Sequence, residues 1–200
     1  MINLNNFINS NYYDLIIILL SITGIGILMI ILSLIINKKK KQLEEKNANG
    51  LNDREIKKID KTLTREKLTN EIFSLYKEVA LAKSNFDYDI LKELLTKELY
   101  IKEEKNLEKL KNNNQKNIIT DINLEKIKIL NIKKEKTTKK IIAYLHVSQY
   151  DYVIDNKKNI VRGTKEIEYQ VEYRLTIDKK PNKYFKLSNI TTTGKWIKNK

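Results

Sequence analysis

Acid–base chemistry in this chain would have to be built from few parts. Its one histidine, His146, lies in a short stretch that also holds Tyr144, Tyr150, Asp151 and Tyr152. Such groups serve as general acids or bases only when they converge on a cavity that tunes their pKa values. In an extended stretch, alternation puts His146 in phase with Tyr144 and Ser148 and opposite the apolar side that carries Leu145. That phase predicts a histidine on a sheet surface. Tyrosine suits a pleated, half-buried surface as well as it suits a site. No catalytic residue is therefore assigned and the chain is expected not to be an enzyme, with Tyr144, His146, Tyr152, Tyr169 and Tyr173 as candidates for a pocket or an interface.

Other chemistries are excluded more simply. With no cysteine there is no disulfide, no zinc–thiolate or iron–sulfur site and no thiol nucleophile. A single histidine rules out a paired-histidine metal site within one chain, which leaves all-oxygen sites as the metal option. Neither metal nor cofactor is expected. The lone G-x-G, Gly24 to Gly26, sits inside an apolar run, and no phosphate-loop GK[ST] follows any strand pattern. The net charge of +14 is spread from Lys38 to Lys200, and the abundance of Lys, Asn and Ile matches the coding bias of an AT-rich genome. Lysines alternate with glutamates and no nucleic-acid motif is present, so a nucleic-acid partner is disfavoured.

The elements that must position these residues begin with a membrane segment. From Leu15 to Ile36 run 22 residues without a charge. At ~1.5 Å per residue, such a helix crosses the ~30 Å hydrocarbon core. Residues 1–14 hold no Lys or Arg and Lys38, Lys39, Lys40 and Lys41 follow directly, which is the wrong layout for a cleaved signal peptide. The same asymmetry predicts a short extracytoplasmic N-terminus (1–14), a transmembrane helix (15–36) and a cytoplasmic remainder. The four lysines serve as a topology flank and would also draw anionic lipid. Gly24 and Gly26 are not spaced as a close-packing pair, so no helix dimer is signalled.

Residues 37–64 are rich in Lys, Glu and Asn, with only Leu43, Leu51, Ile56, Ile59 and Leu63 as large apolar residues. They are expected to form a basic, flexible or partly helical linker. Asn52 with Glu55 resembles an N-cap followed by a short helix. The domain is expected over 65–200. Leu68, Ile72, Leu75, Val79, Ala82 and Phe86 recur every three or four residues and predict one amphipathic helix. A second short helix carries Leu91, Leu94, Leu95 and Leu99, capped by Asp87 or Asp89, and a third runs roughly from Lys102 to Lys111.

Strands follow. One is expected over 118–132. The next begins at Ile141, Ala143, Leu145 and Val147 and changes phase near Gln149 in favour of Tyr150, Tyr152 and Ile154, as a bulge would cause. Ile167, Tyr169, Val171, Tyr173, Leu175 and Ile177 alternate with polar residues in a third strand, which should pair with the second across the turn Asp155 to Asn159. Tyr184 to Ile197 gives the last. Helices first and then about four strands predict an α+β domain, helices gathered on one face of an antiparallel sheet.

Several local strings carry a resemblance. FDYDILKELL, then LTKELYIKEEKNLEKLKNNNQKNIITDINLEKIKIL, then the hairpin AYLHVSQYDYVID through RGTKEIEYQVEYRLTI, with the late Trp196, resemble the Tim-forty-four-like domain, the C-terminal domain of the mitochondrial import-motor tether. That family belongs to the nuclear-transport-factor-two-like superfamily, and the likeness covers about 65–200. It implies a cone-shaped domain with a curved antiparallel sheet wrapped around helices and a pocket between them. It also implies a membrane-associated module binding a protein partner, with bacterial members anchored by an N-terminal helix. The long motor-binding region of the mitochondrial protein has no counterpart here. The expectation is a single-pass cell-membrane adaptor at the inner face, binding a protein partner and anionic lipid, in membrane-protein biogenesis or transport. The alternatives are a small-ligand or enzymatic member of the superfamily, and an extracytoplasmic secretion-system scaffold if the topology is inverted.

Overall fold

Three of the four helices between residues 50 and 112 start on side chains that the sequence supplies as caps. Asn52 and Glu55 exchange reciprocal side-chain bonds of 3.0 Å to each other's backbone N–H and open α1 (Asp53–Ile59). Thr64 accepts from the Lys67 N–H and opens α2 (Arg65–Asn85), which ends at Phe86 in the left-handed region. Asp87 accepts from the Ile90 N–H and opens α3 (Tyr88–Leu94). The fourth helix, α4, spans Lys97–Asn112. These elements come from a computed structural model that describes residues 33, 34, 36, 50–180 and 184–197. The expected N-terminus 1–14, Lys38 to Lys41, linker residues 37–49 and most of the 15–36 segment lie outside the described residues; of that segment only Ser33, Leu34 and Ile36 are described, as helix. Among the described residues no helix is long and apolar enough to cross a membrane. The chain divides into two compact units, Met1–Ala48 and Asn49–Lys200, and the second carries the architecture.

One helix boundary differs from expectation. Leu95 and Leu99 do not share a helix, and α4 begins at Lys97 rather than near Lys102. Leu95 makes a parallel bridge to Leu187, and the Thr96 N–H donates to the Leu187 carbonyl at 2.9 Å. Backbone pairing with a distant strand takes these two residues out of the helix, a tertiary effect that helical periodicity cannot register.

Five strands follow: β1 (Gln115–Glu135), β2 (Thr138–Asp155), β3 (Ile160–Arg162), β4 (Tyr169–Lys179) and β5 (Phe185–Ile197). The sheet order is β1-β2-β4-β5, antiparallel, with β3 on the end of β2. The central pair runs in unbroken register from Lys139↔Lys179 to Gln149↔Tyr169. On the flanking strands the register shifts three times between β1 and β2 and twice between β4 and β5. The expected β2–β4 pairing is present, but the turn after Asp155 leads first into β3.

The expected phase change in β2 does not occur. Val147, Gln149 and Val153 stay on the helix-facing side, and Gln149 is fully buried there. The irregularity read from the pattern is a polar residue on the buried face: β2 keeps one register with β4 up to Gln149↔Tyr169, and the register shift at this point lies against β1, between Thr120 and Asn123.

Helix α2 lays Leu68, Ile72, Leu75 and Val79 against Ile141, Ala143, Leu145 and Val147 of β2 and Val171, Leu175 and Ile177 of β4, all in one core. Burying a side chain of this kind contributes roughly 1.5–3 kcal/mol. The result is an α+β domain, four helices packed on an antiparallel open sheet.

The last part of the expected linker belongs to this core. Leu51, Ile56 and Leu63 are at most 4 % exposed. The Leu51 N–H donates to the Ile129 carbonyl at 2.7 Å, and a Cβ on Gly50 (φ +72°) would stand 2.7 Å from that same oxygen. Lys139 pairs with the Asp60 carboxylate. Burial alone would raise the Asp60 pKa, but hydrogen bonds from Lys139 and Thr62 bring it down to about 2. Three apolar side chains and one ion pair thus strap residues 50–64 onto the domain, although the stretch is too polar to fold by itself.

Candidate functional site

The sheet has two faces, and the candidate residues divide between them. On the helix-facing side, the Tyr76 hydroxyl of α2 donates to Gln149 Oε1 at 2.7 Å, and Gln149 Nε2 donates to the Tyr173 hydroxyl at 3.4 Å. The two tyrosine rings lie 5.1 Å apart. Burial pushes both phenols above their ordinary pKa, so they stay neutral donors and acceptors. Beside them, Lys195 pairs with Asp151 at 2.6 Å and stands 4.4 Å over the Tyr169 ring.

Tyr76 and Tyr173 of this network line a cavity of about 260 Å³ between α2, α4 and β5. Apolar and polar atoms share its walls about equally, with Val79, Leu95, Leu99, Leu187 and Ile190 on the apolar side. The Lys83–Glu103 pair, 2.5 Å long, is also part of the lining, and Glu103 is only 6 % exposed. Such a space suits an apolar or amphipathic guest.

The opposite face carries Tyr144 and His146, as their phase predicted. Tyr144 donates to the Glu172 carboxylate, and burial together with that bond raises its pKa. Lys128 of β1 stands 5.3 Å over the Tyr144 ring. His146 is half-buried because the indole of Trp196 packs over it, with ring centroids 5.4 Å apart. Gly194 makes room for that indole: a Cβ there would lie 2.9 Å from its Cζ3. On this face, His146 Nε2, Ser148 Oγ and Gln170 Oε1 are buried with no hydrogen-bond partner among the described residues.

His146 and Asp151 therefore face opposite sides of β2 and form no acid–base pair. Of the predicted residues, Tyr169 and Tyr173 belong to the cavity side and Tyr144 and His146 to the outer side. Tyr152 stands apart, its ring 5.6 Å beneath Lys165 of the β3–β4 loop. Tyr76, Gln149, Ser148, Gln170, Glu172 and Gly194 were not singled out by sequence reasoning. Gln149 left a trace, a polar residue in an apolar phase; the others left none, because they meet only between elements distant in sequence.

Comparison with known proteins adds one family. The model described as "Tim44-like domain" matches residues 49–192, more than half of the chain, and its first residue coincides with the start of the second compact unit. No curated protein matches the sequence. Among solved structures, the chain is similar to the intermembrane space region of the chloroplast protein ARC6, with 14 % identity and a TM-score of 0.43 over 65 % of this chain and 96 % of that one. On the strength of the family match, the chain belongs to the Tim44-like domain family, the one its local strings resemble.

Proposed function

We propose that this chain is a membrane-anchored, non-enzymatic adaptor whose domain sits at the inner face of the cell membrane and binds a protein partner there. The observation that carries the reading is a Tim44-like domain over 49–192 that follows, after residues 42–48, a 22-residue uncharged run and the four lysines Lys38 to Lys41. The run supplies the anchor. The lysines hold the domain on the cytoplasmic side and add attraction to anionic lipid, at about 1 kcal/mol for each lysine near the surface. The domain supplies binding surfaces, for membrane-protein biogenesis or transport.

The test uses the full chain in native membranes and in vesicles. Photo-crosslinkers spread over the domain surface should trap a discrete protein partner in cells, and replacing Lys38 to Lys41 by glutamine should weaken the association of the N-terminal flank with anionic vesicles. A domain that cross-links to nothing and ignores anionic lipid overturns the adaptor. The cavity of about 260 Å³ favours a second reading, a small apolar ligand held against Tyr76 and Tyr173. A ligand that co-purifies with the wild-type chain and is lost on Leu99→Trp would promote it.

A further inference from the structure

The outer face of the sheet holds an arrangement that neither the family nor the adaptor reading explains. The three buried side-chain atoms found without a partner, His146 Nε2, Ser148 Oγ and Gln170 Oε1, are neighbours. Ser148 pairs directly with Gln170 across β2 and β4, and His146 is two residues from Ser148 on the same face. Paired positions place Cβ atoms about 4.5–5.5 Å apart, so Ser148 and Gln170 lie side by side, and with His146 they line one seam of the outer face. Ser148 is 0 % and Gln170 8 % exposed, whereas native proteins pair nearly all such groups. Trp196, opposite Gln170 in β5, lies over the seam but is itself 44 % exposed, and Gly194 is the residue that lets it lie there. The indole is thus a cover at the end of an edge strand, open to solvent on its outer side.

The chemistry of the three atoms selects the guest. Gln170 Oε1 can only accept a hydrogen bond, Ser148 can give one and accept one, and His146 Nε2 does either according to tautomer. A carboxylate offers Gln170 nothing and would face the Glu172 side chain beside the seam. An ammonium meets Lys126, opposite His146, and Arg174, opposite Tyr144. A neutral group with one donor and one acceptor satisfies the seam without either penalty, and its flat π-system stacks under an indole.

The geometry points to a carboxamide-binding notch on the outer sheet face, formed by His146, Ser148 and Gln170 under Trp196, which receives an asparagine or glutamine side chain of the partner protein. The identity of the guest's owner rests on the adaptor reading; the notch does not.

Because the chain has one tryptophan and one histidine, both report on the notch without labels elsewhere. The full chain in detergent micelles is titrated with three isosteric probes, propionamide, sodium propionate and propylammonium chloride. Trp196 emission and the His146 imidazole resonances are followed. Propionamide should give a saturable change in both signals, at least tenfold stronger than either charged probe. Ser148→Ala and Gln170→Leu should each weaken it about tenfold, while the circular dichroism spectrum stays that of the wild type. A response to propionate or propylammonium equal to that of propionamide overturns the assignment, as does no saturable response up to about 100 mM, a weak-affinity limit for so small a probe; the latter would leave the seam holding water only. No partner is present in this titration, so a failed adaptor reading leaves its outcome untouched.

Discussion

The two faces of the sheet bury polar groups to similar depth and treat them in opposite ways. On the helix side, Tyr76, Gln149 and Tyr173 satisfy one another, and the two tyrosines line a cavity. On the outer side, His146, Ser148 and Gln170 are just as hidden and have no partner among the described residues. An unmade hydrogen bond at a buried group costs roughly 1–3 kcal/mol. The first network therefore stabilises the fold from within, whereas the outer groups need a water or a guest to complete them.

Substitutions can break this contrast. The largest effect belongs to the core that both faces depend on: Leu145→Ala, at a fully buried position of the central strand, should cost about 2–5 kcal/mol in urea unfolding. Next, Tyr76→Phe removes the phenol that donates to Gln149 and strands a buried amide, so it should lower stability by about 1–3 kcal/mol in the same assay.

A smaller effect sits at the strap that enters the domain. The folded-state pKa of Asp60, about 2, lies below the ordinary aspartate value of 3.8. Its contribution is therefore complete above that unfolded value and is lost as pH falls from about 4 through 2, an acid-limb loss of about 1–2 kcal/mol. Asp60→Asn should flatten that limb of the stability-versus-pH curve and leave the cavity-side network alone. The smallest effect is the sharpest for the comparison. Ser148→Ala deletes a hydroxyl with no partner and should leave the domain unchanged or more stable by about 0–1 kcal/mol, opposite in sign to Tyr76→Phe. A loss of more than that from Ser148→Ala would mean that the outer seam is satisfied after all.

Much of the fold was legible. The α2 stripe, the Asn52–Glu55 capping box, the Asp87 cap and the alternation in β4 each act over a few residues, which is the range a pattern can report. What escaped was set by contacts between distant residues. The Leu95–Leu187 bridge divides two helices, the Leu51–Ile129 bond and the Asp60–Lys139 pair recruit the end of the linker, and Gln149 faces inward because Tyr76 is there to receive it. The candidate site was legible in phase only. Alternation placed His146 on the outer side correctly, but nothing local to position 146 announces that Trp196 covers it or that Gly194 allows the cover. That knowledge needs the registers of β2 with β4 and of β4 with β5.

The adaptor account turns on which side of the membrane the domain occupies. Protease accessibility, compared between intact cells and inverted membrane vesicles, tests this directly. The account predicts digestion of the domain only in inverted vesicles; digestion in intact cells with permeable outer barriers would contradict it and leave an extracytoplasmic scaffold in its place.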